Sequence, residues 1–154
     1  MLAGPGPGES VRELLERIGR AMNLDIRVEV RLEGDTVVGE YRGEDVAALI
    51  GRRGQTIDAI QHLAYRIASR AAGARQRVLV DAGGYRQRRA ATLRATADQA
   101  AAAALRERRA VKLEPMSALD RKLVHEHLKL RGDVETYSEG EEPARRLVIA
   151  PLLG

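Results

Sequence analysis

At 154 residues and 44% hydrophobic content the chain suits one medium domain or two small ones, and no apolar run is long enough to cross a bilayer. It contains no cysteine, which excludes a disulfide framework and thiolate chemistry, and no secretory leader pattern, so the cytoplasm is the expected compartment. The formal net charge is +4, and all of the 26 basic residues except Lys112, Lys122 and Lys129 are arginines, whose planar forks suit phosphate. A GC-rich genome yields the same bias, so the positions of the arginines matter more than their number. Trp and Phe are absent, leaving Tyr41, Tyr65, Tyr85 and Tyr137, which argues against recognition by a platform of stacked aromatics.

Residues 1–9 are rich in Gly and Pro and read as a flexible lead-in. Ser10 and Glu13 form a capping-box pattern, after which Val11, Leu14, Leu15, Ile18 and Met22 recur on one helical face. Ile26, Val28, Val30 and Leu32 alternate with charged residues as in a half-buried strand, Gly34-Asp35 turns the chain, and Thr36 to Arg42 returns as a second strand. A short helix follows over Asp45 to Ile50, then a two-glycine loop. A long helix comes next, with Ile57, Ile60, Ala64, Ile67, Ala68 and Ala71 as its buried stripe. Gly73 stops it, and Arg77 to Asp81 is a third strand.

The loop Ile50-Gly51-Arg52-Arg53-Gly54-Gln55-Thr56-Ile57 has a physical reason at each position. Gly51 ends a helix with φ > 0, and Gly54, lacking a Cβ, lets another backbone approach closely. The helix opening at Gln55 presents N–H groups without internal partners, an anion site, and Arg52 and Arg53 add positive charge beside it. These features describe a clamp for a sugar-phosphate backbone; a plain helix–turn–helix corner is the alternative reading. In the order α-β-β-α-α-β the segment resembles a KH domain of the bacterial type, type II, whose helix–loop–helix grips about four nucleotides of single-stranded nucleic acid. The resemblance implies a mixed three-stranded sheet backed by helices and a groove for bases beside the loop. Ile50 and Ile57 are candidate groove residues, with core as their alternative role.

Asp81 to Gly84 is a short joint to a helix over Tyr85 to Arg109 whose core face is small: Leu93, Ala97, Ala100, Ala101, Ala104 and Leu105. Arg86, Arg88, Arg89 and Arg94 cluster in its first turns, where cations oppose the helix dipole and a bound polyanion would relieve the conflict; ordinary solvated charge is the alternative. Val111 and Leu113 mark a short strand ended by Pro115. Ser117 to Asp120 is a second capping box, opening a helix that runs to Arg131 with Gly132 as its stop. Leu119, Leu123, Val124, Leu128 and Leu130 spread over one side of it, and Arg121, Lys122, His125 and Lys129 over the other, a cationic or merely solvated face. His127 projects into the apolar side as a hydrogen-bonded core histidine, and its spacing from His125 rules out one shared metal. Val134 to Ser138 and Ala144 to Ala150 form two strands around the acidic turn Glu139 to Pro143. This α-β-α-β-β half resembles the R-three-H domain, named for Arg-x-x-x-His, here Arg121 and His125, which in that family marks a surface for single-stranded nucleic acid.

The fold expected is therefore α+β with two small domains, KH over 10–82 and R-three-H over 85–152. Both modules together, with Tyr85-Arg86-Gln87-Arg88-Arg89, Leu113-Glu114-Pro115-Met116-Ser117 and Val134 to Pro143, resemble the SpoIIIJ-associated (Jag) protein family, also called KhpB or EloR, over Ser10 to Pro151. The resemblance implies cytoplasmic binding of single-stranded RNA (or single-stranded DNA) without enzymatic activity or cofactor. It also implies a role as RNA chaperone or post-transcriptional regulator, a small single-KH partner, and an influence on cell-wall synthesis, elongation and shape. Family members usually carry an N-terminal Jag domain before the KH domain; here about nine residues precede the first predicted helix. The resemblance also implies an indirect link to membrane cell-wall machinery, a role that the family assigns to that N-terminal region. The competing functions are an adaptor docking KH partners or ribosomal proteins, and a nuclease using His125 with Arg121.

Overall fold

The computed structural model describes residues 3–153, and the chain divides into two compact units, the first ending at Arg86 and the second beginning at Gln87. Met1 and Leu2 of the expected lead-in lie outside the described residues. The first unit contains α1 (Pro7–Ala21), β1 (Arg27–Glu33), β2 (Thr36–Arg42), α2 (Val46–Ile50), a tight turn over Arg52–Gly54, α3 (Gln55–Ala72) and β3 (Arg77–Ala82). The helix opens earlier than Ser10: Pro7, which has no N–H to satisfy, occupies its start behind Gly6, so residues 7–9 are helical and not lead-in. Ser10 is not the cap but a buried residue inside the helix.

The sheet runs β1-β2-β3, antiparallel between β1 and β2 and parallel between β2 and β3, as the α2–α3 crossover demands. Val11, Leu15, Tyr41, Leu49, Ile57 and Val80 are among the fully buried side chains of the core. Helix α1 seats closely because Gly39 of β2 has no side chain; a Cβ there would lie 2.6 Å from Leu15 Cδ1. The Tyr41 hydroxyl donates to the Leu15 carbonyl at 2.7 Å, and burial pushes its pKa up, so it stays a donor. On α3 the buried stripe is Ile57, Ile60, Ala64 and Ala68; Ile67 and Ala71 are exposed, because the layer beneath covers a strip narrower than the apolar pattern suggests.

The second unit contains most of α4 (Tyr85–Glu107), then β4 (Val111–Lys112), α5 (Ala118–Lys129), β5 (Val134–Glu139) and β6 (Arg146–Pro151). Its sheet is antiparallel, in the order β4-β6-β5. Leu93, Ala97, Ala101 and Ala104 of α4 pack in one cluster with Val124, Leu128, Leu147 and Ile149, a core built around small residues as expected. Ser117 caps α5, its hydroxyl accepting from the Asp120 N–H at 3.2 Å. The apolar side of α5 is narrower than its pattern: Leu119 and Leu130 are 58% and 91% exposed, and the helix ends at Lys129, before Gly132 can act as its stop. His127 is hydrogen-bonded, to Asp98 at 2.9 Å, but at the margin of the core. The fold is α+β.

Replacing Tyr41 with Phe removes one hydrogen bond from a core otherwise unchanged. Urea unfolding is expected to show a loss of about 1 kcal/mol.

Candidate nucleic-acid interface

The two-glycine loop is built from backbone conformations that side chains disfavour. Gly51 ends α2 at φ 71°, ψ −175°, a region open almost only to glycine. Arg53 and Gly54 follow at φ 55° and 76°, both left-handed. This sequence of turns lets the chain leave α2 and enter α3 within four residues. A Cβ on Gly51 would collide with the Thr56 side chain and lie 3.0 Å from the Thr56 N. Gly54 admits a close neighbour, as its lack of a side chain suggests, but the neighbour is the ring of Tyr85 and not another backbone.

Arg52, Arg53 and Gln55 are exposed at the start of α3, and the Gln55 N–H donates back to the Arg52 carbonyl. Ile50 is half-buried against the core, while Ile57 is fully buried within it and takes the role of core, not of groove wall.

The arginines that open α4 have different fates. Arg86 turns inward, donating from Nε to the Val80 carbonyl at 2.8 Å and from a terminal nitrogen to Asp58 at 3.0 Å; its other terminal nitrogen is buried. Arg89 grips Asp120 with two N–H groups, at 3.0 and 3.1 Å. Arg88 and Arg94 are exposed. The dipole conflict that a polyanion would relieve is thus met, for Arg86 and Arg89, by carboxylates of the chain itself.

On α5 the expected cationic face divides. Arg121 does not stand in solvent: it is 8% exposed, donating to the Met116 carbonyl and to Glu142, each at 2.5 Å. Its long stem covers apolar surface while the guanidinium fastens the acidic turn. His125 is half-buried and hydrogen-bonded through Nδ1 to the Thr136 hydroxyl. Lys122 and Lys129 are exposed. A cavity of about 410 Å³ between α5 and the β5–β6 hairpin is lined by Arg121, Lys122, His125, Thr136, Ser138 and Arg145, among others; Lys129 lies outside it. Thr136, Ser138 and Arg145 escaped the sequence reading, because only the pairing of β5 with β6 brings them opposite α5.

The first unit is a KH fold carrying a Gly-Arg-Arg-Gly loop, and the second is a small α+β module carrying the Arg-x-x-x-His pair; the class is that of proteins with a KH domain followed by an R-three-H domain. The family model described as "KhpA/KhpB, KH domain" matches residues 8–80, and the model for the R-three-H domain matches residues 91–151. The chain is 37% identical to the RNA-binding protein KhpB of Clostridium symbiosum over 140 residues, covering 90% of this chain and 63% of that protein. It is 35% identical to the RNA-binding protein KhpB of Bacillus subtilis (strain 168) over 146 residues, covering 94% of this chain and 70% of that one. With the RNA-binding protein KhpB of Streptococcus pneumoniae serotype 2 it shares 30% identity over 129 residues, 81% of this chain and 39% of that one. The chain belongs to the KhpB family. It spans between about four tenths and seven tenths of the length of these relatives.

Two substitutions separate shape from charge. Gly51→Ala forces a side chain into a glycine-only conformation and is expected to lower the stability of the first unit by about 1–3 kcal/mol in chemical unfolding. Arg121→Ala, by removing two charge-assisted hydrogen bonds, is expected to destabilise the second unit by about 1–3 kcal/mol and to raise amide exchange in the acidic turn.

Proposed function

We propose that the chain binds single-stranded RNA, without cleaving it, through two sites. The observation that carries this reading is the opening of α3, where Arg52 and Arg53 stand exposed at the positive end of the dipole of an 18-residue helix. The second site is the cavity of Lys122, His125 and Arg145, with Thr136 and Ser138 as neutral hydrogen-bonding groups. Two weak sites on one polypeptide raise each other's effective concentration, so neither needs high affinity alone. The relatives' printed names, RNA-binding protein KhpB, support RNA as the polymer. Among the described residues no three His, Cys, Asp or Glu side chains gather as metal ligands would, and His125 faces a threonine hydroxyl and not a carboxylate. Both points favour binding over hydrolysis.

The proposal extends to the cytoplasm as the place of action and to a small single-KH protein as partner. No helix among the described residues is long and apolar enough to cross a membrane, and the KH family model spans both KhpA and KhpB domains.

The test replaces Arg52 and Arg53 together with Asp. Affinity for an unstructured RNA is expected to fall about tenfold or more at moderate salt, and the slope of log K against log salt to flatten by about 1.4 for two lost phosphate contacts. Thermal stability is expected to stay near that of the parent, since both side chains are exposed. Unchanged affinity and slope would remove the loop from the reading.

A further inference from the structure

The KH family model ends at residue 80, yet the first compact unit runs on to Arg86. Tyr85 and Arg86, the first two residues of α4, lie in that extension and are tied to the loop. A Cβ placed on Gly54 would lie 2.6 Å from the Tyr85 hydroxyl oxygen and 2.7 Å from its Cε1, so the ring fills the space a side chain would take on the loop's second glycine. Tyr85 also packs on the core of this unit. Arg86 ties three elements together: its guanidinium reaches the Val80 carbonyl in β3 and Asp58 in the first turn of α3, and its backbone N–H donates to the Asp81 carboxylate at 3.2 Å.

We propose that Tyr85 and Arg86 are positioning residues for the phosphate clamp, an inference that rests on the RNA-binding reading above. Their contribution is of two kinds. The Tyr85 ring limits the conformations open to two consecutive left-handed residues, Arg53 and Gly54, which an unsupported loop would leave for part of the time. Holding them in one shape lowers the ordering cost of binding. Arg86 acts electrostatically as well. Asp58 stands in the first turn of α3, where a bare carboxylate would repel an incoming phosphate, and the Arg86 guanidinium both neutralises it and holds it aside.

The test uses the full chain and a fluorescently labelled, unstructured RNA oligonucleotide of mixed sequence, read by anisotropy, with amide exchange at residues 53–55 as a second measurement. Tyr85→Ala is expected to weaken binding about five- to twentyfold and to speed exchange in the loop but not in β1 and β2, whereas Tyr85→Phe, keeping the ring, stays within about twofold of the parent. Arg86→Gln is expected to weaken binding, and adding Asp58→Asn to it to restore most of the loss. Should Tyr85→Ala unfold, Tyr85→Leu keeps apolar bulk without the planar ring and takes its place. Parent-like affinity in whichever of these two variants folds overturns the role of Tyr85, and failure of Asp58→Asn to rescue Arg86→Gln overturns that of Arg86. The pair Arg52→Asp and Arg53→Asp keeps the two readings apart: if that variant binds like the parent, RNA binding at the loop is wrong, and if it fails while Tyr85→Ala binds normally, only the positioning role is wrong.

Discussion

The first unit depends on a reversal of chain direction that only glycine can make in the space allowed. Between the last residue of α2 and the first of α3 lie four residues, and three of them carry positive φ. A wider connection would move the start of α3 away from β3, and the core residues Leu49 and Ile57 on either side of the corner would no longer share one cluster. The corner that completes the core is thus the same corner that places the exposed Arg52 and Arg53 at the start of α3. Core packing and the placement of these arginines follow from one backbone path, without a separate device for each.

Charge is distributed by a different logic. A basic composition suggests a surface covered in available cations, but much of that charge is neutralised within the chain. Arg86 is paired with Asp58, Arg89 with Asp120, Arg121 with Glu142 and Arg131 with Asp133, while Arg31 and Arg42 share Glu40 on the sheet. The exposed pairs among these, such as Arg31 and Arg42 with Glu40, add little to stability, and all of them remove charge from the long-range field. Position decides which charge a polyanion could meet: Arg52 and Arg53 are exposed at the start of α3, and Lys122 and Arg145 line the cavity of the second unit.

The order of elements was legible because each carries a local signal: alternation in β1, glycine at the loop, the Ser117 cap on α5, and the alanine face of α4, whose buried members match the pattern closely. The errors share a cause, which is that periodicity gives the direction of a side chain but not what waits there. Leu119 and Leu130 fall on the apolar side of α5 and are exposed because no element covers those ends. Arg121 falls on the polar side and is buried because the acidic turn, distant in sequence, folds over it. Ser10 has the residue type of a cap, but Pro7 starts the helix a turn earlier. Tyr85 escaped notice as a support for the loop because its contact with Gly54 crosses α3 and β3 in the chain.

The two sites differ in how far function can be separated from folding. In the first unit the residues that would meet phosphate, Arg52 and Arg53, are exposed, while Tyr41, Leu49 and Ile57 fill the core beneath. In the second unit the core face of α4 is largely alanine, which buries little area per residue, so polar ties carry a larger share of the cohesion. Arg121 to Glu142 and His125 to Thr136 are among those ties, and the same side chains line the cavity. A substitution in the Arg-x-x-x-His pair therefore changes the shape of its site as well as its charge. Loss of binding on changing Arg121 is by itself no measure of contact with RNA; Lys122, which is exposed and shares the cavity, gives the cleaner measure of charge.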